Sequence, residues 1–388
     1  MPTSLTRSLL KATGLTRMGR LMDATRLIQR TLLGAALPAS KPAARPAEYR
    51  AEKSPAQDVP IILPGPSSTP QPAANEDQAR PPPHPNFSEQ RFAFEGKTYP
   101  YRLFVPKLAD ADGQGAQRAL MPLVVLLHGC KQDALDFSKG TAMNVLAGKE
   151  QCLVLYPEQI TTANQLMCWN WFEPGHQQEG TGEPGMITAL TRQVLASDFN
   201  GRRADVSRVY IAGLSAGGAM AAVVAGLHPE LFTALGVHSG LPAGAASNVM
   251  TAFQAMRMGG QGKGKRKSKG VSAFPTIVFH GDSDTTVHPS NGENITADAL
   301  AAALKAGGPL VKTQLSAYPE GDQASRKDKP IDVTRYADES GTPLIEYWSI
   351  NNGSHAWSGG SKEGSYTDPD GPSASKAMLA FFLQHSRT

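Results

Sequence analysis

Cysteine is scarce in this chain: Cys130, Cys152 and Cys168 are the three among 388 residues. That number excludes a disulfide-stapled scaffold, and their intervals are not those of metal ligands. One bridge with a free thiol and three free thiols both fit. Long apolar runs are also missing, so no membrane-spanning helix is predicted. Near the N-terminus, Arg7, Lys11, Arg17, Arg20, Arg26 and Arg30 interrupt every stretch that could form the core of a secretory signal, which makes a cytoplasmic location the expectation. An excess of one charge is lacking too: 38 Lys and Arg face 34 Asp and Glu, and the positive residues gather near the N-terminus and in the run from Lys263 to Lys269. Nucleic-acid binding is therefore not indicated. What remains, 40% hydrophobic residues in a chain of this length, is enough for one large core with additional segments.

Three regions follow from composition. Within 1–36, Leu15, Met18, Leu21, Met22, Thr25, Ile28 and Leu32 recur at helical spacing with arginines between them, which predicts a basic amphipathic helix. Its apolar face could dock on the protein's own body, self-associate, or meet a membrane or a polymer granule. Residues 37–86 are dense in Pro and Ala, including Pro64-Gly65-Pro66 and Pro81-Pro82-Pro83, and read as an extended, disordered linker. From Phe87 onward the pattern changes. Arg91–Phe94 and Tyr99–Val105 read as antiparallel edge strands around Glu95-Gly96-Lys97, and Pro122–Leu127 reads as a strand buried on both faces. Further strands are expected at Cys152–Tyr156, Val209–Ala212, Ala234–Val237, Thr276–Phe279 and Leu344–Trp348, with helical patterns such as Met186–Asp198 and Ala297–Lys305 between them. Alternation of this kind predicts a doubly wound, mostly parallel α/β sheet over 87–388, with reactive groups beyond the strands' C-terminal ends. The run between Met258 and Val271 reads as a solvated loop or a lid.

Gly213-Leu214-Ser215-Ala216-Gly217 joins the apolar strand Val209–Ala212 to the small-residue helix pattern Ala219–Ala225. A serine at such a turn has its hydroxyl exposed in a strained conformation, and glycines flank it because a Cβ would strike the adjoining strand and helix. A hydroxyl becomes a nucleophile when a neighbouring base can take its proton. Both further partners follow on loops after strands: Asp282 and Asp284 after Phe279, and His355 after Ile350. The order Ser, Asp, His is that of the α/β-hydrolase fold. Asp284 sits farther into its loop and is the better candidate for orienting the imidazole, while Asp282 fits loop-shaping hydrogen bonds. His280 ends a buried strand, and His84, His228 and His385 fall in expected loops or helix ends without an acidic cluster to make a metal site. Ala216 offers one N–H to a developing oxyanion, and Cys130, just past the strand ending at Leu127, offers a second. A Cys130–Cys168 bridge would stiffen that loop, although a reducing cytoplasm would disfavour it.

His128-Gly129-Cys130, Tyr156-Pro157-Glu158-Gln159, Cys168-Trp169-Asn170-Trp171-Phe172, Gly213–Met220, His238-Ser239-Gly240, His280–Asp284 and His355–Gly360 together resemble the esterase family of poly(3-hydroxybutyrate) depolymerases, related to feruloyl and acetylxylan esterases. The resemblance implies an α/β-hydrolase with no metal or organic cofactor, hydrolysing a polyester or its oligomers, with Ser215 as nucleophile, His355 as base, Asp284 as its orienter, and Cys130 and Ala216 as the oxyanion hole. Secreted members of that family make an extracellular location the alternative. Trp169, Trp171 and Trp357 lie in loops near the expected catalytic face, where they could line a substrate site or pack in the core. A feruloyl, acetylxylan or general short-chain esterase is the nearest alternative. A serine peptidase, an acyltransferase and a non-catalytic surface-binding protein are the alternatives from other classes.

Overall fold

The computed structural model describes residues 87–107, 120–260, 274–307, 309–317 and 331–387. The N-terminal helix, the linker, His84 and the Lys-rich run lie outside the described residues.

One sheet organises what is described. β1 (Phe87–Phe94) and β2 (Lys97–Phe104) form an antiparallel hairpin in which Phe94 pairs with Lys97. Its two-residue turn, Glu95-Gly96, has φ of 46° and 73°, the mirror-image geometry that matches strand twist. After it come β3 (Met121–Leu127), β4 (Leu153–Pro157), the short β5 (Asp198–Phe199), β6 (Arg202–Leu214), β7 (Ala234–His238), β8 (Thr276–Gly281), β9 (Val311–Ala317), β10 (Ile331–Ala337) and β11 (Pro343–Ile350). Their spatial order is β1-β2-β4-β3-β6-β7-β8-β11-β10-β9, with β5 paired to β6. The six strands from β4 to β11 in this order are parallel, and antiparallel pairs flank them on each side.

Residues of β3, β4, β7 and β8 are buried on both faces, as a central parallel strand requires. Leu123, Val125, Leu127, Val209, Ile211, Leu235 and Val237 point into one core with α3 (Gly182–Ala196) and α4 (Ala216–Leu227). Val124, Leu126, Tyr210, Ala212, Ile277 and Phe279 point into the other. That second core is closed by α1 (Ala134–Thr141), α2 (Met143–Lys149) and the C-terminal helix, which is α7 (Ala374–Phe382) once α5 (Val249–Met258) and α6 (Ser290–Ala306) are counted. Helices on both faces of a mostly parallel sheet make this a doubly wound α/β fold, as the α/β-hydrolase reading expects.

Two features depart from the periodicity. β9 carries no strong strand pattern, because it is an edge whose described side chains are all exposed, and β10, which the expected strands do not include, pairs it to β11. The helix expected from Ala297 begins two turns earlier, at Ser290. Gly292 disguises those turns: it is there because a Cβ would lie 2.8 Å from His280 Nδ1 and 3.1 Å from Tyr347. Packing outweighs the roughly 1 kcal/mol that glycine costs a helix.

Candidate active site

Ser215 stands between the end of β6 and the start of α4 with φ 56° and ψ −119°, a conformation that a side chain rarely adopts. Its neighbours hold it there. The Ser215 N–H donates to the His238 carbonyl at 2.9 Å, and the Ser215 carbonyl accepts from Ala219 N–H at 2.9 Å. A Cβ on Gly213 would lie 2.7 Å from the Leu127 carbonyl oxygen, and one on Gly217 would overlap the carbonyls of Leu127 and His128. The turn therefore packs directly against the end of β3.

Three side chains separated by 140 and 71 residues converge at this turn. His355 Nε2 is 2.9 Å from Ser215 Oγ, and His355 Nδ1 is 2.7 Å from Asp284 Oδ2. The carboxylate next to Nδ1 requires an N–H there, which leaves Nε2 bare to accept the serine proton. Asp284 is buried, and its Oδ1 accepts N–H groups from Thr286 and Val287, each at 2.9 Å. Burial alone would raise its pKa; hydrogen bonding with His280 and His355 outweighs that and holds the carboxyl well below the usual carboxylate range. Asp282 is exposed and turns away to accept from Asn352 N–H at 2.7 Å, which ties the two loops that carry Asp284 and His355.

Cys130 follows β3 by way of His128 and Gly129, and it is bonded to Cys168. Cys152 is the free, buried cysteine, its thiol pushed up to about 12 by burial. The loop is held at several further points: Lys131 N–H donates to the Leu166 carbonyl at 2.7 Å, and His128 Nδ1–H donates to the Gly129 carbonyl at 2.8 Å. Leu214, the residue before Ser215, lies 3.6 Å from where a Gly129 Cβ would stand. Ala216 opens α4, so its N–H belongs to the first turn, which has no partner within the helix. Ala216 immediately follows the serine, and Cys130 follows the end of β3, against which the serine turn packs.

A shell of buried polar residues supports the loops. Glu183, 1% exposed, accepts from Asn170 N–H at 2.7 Å, from Asn170 Nδ2 at 2.7 Å and from Gln159 Nε2 at 2.6 Å. Gln159 N–H in turn donates to His128 Nε2 at 3.1 Å. His238 is fully buried between the rings of Phe279 and Trp357, accepts Ser358 N–H at 3.0 Å, and is pushed down to about 3 by burial, with His280 and His355 adding to the effect. The motifs containing these residues are visible in the sequence; their roles are not, since every contact crosses from one loop to another.

Of the two readings of the tryptophans, substrate lining or core packing, burial favours the core. Trp169 is 0% exposed and donates to the His128 carbonyl, and Trp357 is 1% exposed and donates to Ser375 Oγ. Trp171 is buried as well, edge-on to Phe172. All three rings are packed in the interior. Among the described residues no group of three or more His, Cys, Asp or Glu could hold a metal ion, and no helix is long and apolar enough to cross a membrane.

A family model described as Esterase PHB depolymerase matches residues 102–308, a span that takes in the serine turn and Asp284. The chain belongs to that family. Among its relatives are a poly(3-hydroxyalkanoate) depolymerase C of Paucimonas lemoignei, 31% identical over 243 residues (60% of this chain and 54% of the relative), and a poly(3-hydroxybutyrate) depolymerase of Ralstonia pickettii, 27% identical over 251 residues (61% and 48%). An acetylxylan esterase A of Talaromyces purpureogenus is 28% identical over 205 residues, 49% of this chain and 50% of the relative. The chain thus spans about half the length of these curated relatives. An acetyl xylan esterase structure from Aspergillus awamori superposes with a TM-score of 0.52 at 17% identity, covering 76% of this chain and 99% of that one, and shares its fold. By sequence the chain belongs with the Esterase PHB depolymerase family, and its fold is that of the α/β-hydrolases.

Proposed function

We propose that the protein hydrolyses carboxylic esters through an acyl-enzyme on Ser215, with an aliphatic polyester such as poly(3-hydroxybutyrate), or its oligomers, as substrate. The hydrogen-bonded chain Ser215–His355–Asp284 carries this reading. His355 Nε2 takes the Oγ proton as Oγ attacks the ester carbonyl carbon. The carbonyl electrons move onto oxygen, which accepts N–H groups from Ala216 and Cys130. Asp284 keeps the ring in its reactive tautomer and stabilises the imidazolium. His355 then gives its proton to the departing alcohol oxygen, and a water deprotonated by the same ring releases the acid. Polyester as substrate is supported by the depolymerases among the relatives. The Cys130–Cys168 bridge favours an oxidising compartment, and so the extracellular alternative over the cytoplasm.

Labelling with a fluorophosphonate probe, followed by turnover of 3-hydroxybutyrate oligomers, p-nitrophenyl esters, feruloyl esters, acetylated xylan and peptide amides, tests both parts. Ser215→Ala is expected to abolish labelling and to lower ester turnover by several orders of magnitude while the protein stays folded. Undiminished turnover by that variant overturns the mechanism. Preference for acetylated xylan, feruloyl esters or amides overturns the polyester assignment and leaves the mechanism standing.

A further inference from the structure

Gln132 is 1% exposed, lies two residues beyond Cys130 and touches none of the three converging side chains, yet every polar atom of its amide is used. Its Oε1 accepts Gly129 N–H at 3.0 Å. Its Nε2 donates to Asp136 Oδ2 at 2.9 Å and to the Ser365 carbonyl at 3.0 Å. Asp136, on α1, also accepts Ser365 N–H at 2.9 Å and Ser365 Oγ–H at 2.6 Å. Only one orientation of the amide satisfies these partners, because the carboxylate and the carbonyl need a donor where Gly129 N–H needs an acceptor.

Ser365 belongs to the loop that carries the base. The next residue, Tyr366, accepts Trp357 N–H at 2.7 Å through its carbonyl, and the short parallel pair β12 (Trp357–Ser358) and β13 (Thr367–Asp368) closes the loop two residues after His355. Gly364 packs on Gly140 of α1, and Ser361 N–H donates to the Gly140 carbonyl at 2.8 Å. A continuous path of hydrogen bonds therefore runs from the Gly129 amide, through Gln132 and Asp136, to the segment that fixes His355.

We propose that Gln132 is a positioning residue that sets the oxyanion-hole loop relative to the histidine loop, so that the Cys130 N–H and His355 Nε2 reach the same tetrahedral centre. The Gly129 N–H and the Gly129–Cys130 peptide are consecutive, so the hydrogen bond to the first limits how the second can turn. Catalytic donors tolerate little displacement: an error on the order of 1 Å costs roughly a hundredfold in rate. The inference rests on the serine mechanism proposed above.

Gln132→Glu keeps the shape and the acceptor for Gly129 N–H, but it sets a carboxylate against Asp136 and the Ser365 carbonyl. The expected result is a fall in kcat of roughly tenfold to a hundredfold with KM changed less than about twofold. Affinity for a trifluoromethyl ketone, whose hemiketal oxygen occupies the oxyanion position, should fall in the same proportion as kcat/KM. Adding Asp136→Asn restores a donor to face the new carboxylate, and the double variant should recover several-fold of the lost kcat. Gln132→Met, uncharged and of similar size, should show the same loss and serves if Gln132→Glu does not fold. Wild-type kcat in both single variants, a loss of activity matched by the loss of folded protein, or a double variant no better than Gln132→Glu overturns the proposal. Inactive Ser215→Ala beside unimpaired Gln132 variants sinks this inference alone; active Ser215→Ala sinks the mechanism beneath it.

Discussion

The two oxygens of Asp284 are committed to different partners, Oδ1 to the backbone of its own loop and Oδ2 to the imidazole of His355. An Asn at 284 could keep the backbone contacts through its carbonyl, but its NH₂ would then face Nδ1. The ring would have to move its proton to Nε2 and could no longer accept from Ser215. Asp284→Asn is therefore expected to lower kcat by about 10³- to 10⁴-fold, while Asp282→Asn, which loses a loop hydrogen bond, should stay within a few-fold. Steady-state kinetics of the two variants on one p-nitrophenyl ester checks this; a larger loss at Asp282 reverses the assignment. Both aspartates were legible as candidates because they follow a strand, and position in the loop already favoured Asp284. For the three tryptophans the sequence left substrate lining and core packing open, since a residue type in a loop does not reveal which way its ring turns, and burial favours the core.

At the scale of elements, the strand-turn-helix around Ser215 is legible from local pattern, although the glycines there answer to contacts at the end of β3. The loop after β3 is different. It owes its shape to the bridge from Cys130 to Cys168, 38 residues apart, and to the Lys131 to Leu166 hydrogen bond. Removing the bridge with Cys130→Ser and Cys168→Ser frees the unfolded chain and is expected to cost about 2–4 kcal/mol of stability. Urea denaturation of the double variant against the parent measures it, and an unchanged midpoint would show that the loop is held without the bridge. Spacing allowed a bridge or free thiols; only the approach of the two loops selects between them. α6 and β9 were obscured for opposite reasons, one by a glycine that packing requires and the other by an exposed edge with no buried face to impose alternation.

At the scale of the fold, buried imidazoles make the described interior sensitive to acid. Burial holds the pKa values of His128, His238 and His385 below the ordinary 6.5. His176 moves the other way: burial lowers it, but the hydrogen bond with Glu183 wins and raises it. A depressed imidazole stays neutral in the fold and takes a proton when the chain unfolds. Its contribution is therefore complete above pH 6.5 and is lost as the pH falls toward the folded value. His176 gains stability over the same window, as do the Glu158 and Asp298 carboxyls that burial raises, so the expected loss comes from the two fully buried rings, His128 and His238. Stability should fall between pH 6.5 and 5, with a slope of up to about 1.4 kcal/mol per pH unit for each fully buried ring, His128 and His238. Denaturation series at pH 7, 6 and 5 check the sign, and His238→Gln should flatten the slope. Constant or rising stability over that interval contradicts the prediction.

By itself the amino-acid order made legible the parallel α/β sheet, the glycine-flanked serine turn and the order of Ser, Asp and His, each just past a strand, because these show as local periodicity and local residue pattern. Only the tertiary structure decided the pairing of Cys130 with Cys168, the burial of the tryptophans, and the link from Gln132 to Ser365 across 233 residues. Those contacts join loops from different strand ends, and their geometry exists only after the sheet has brought the ends together.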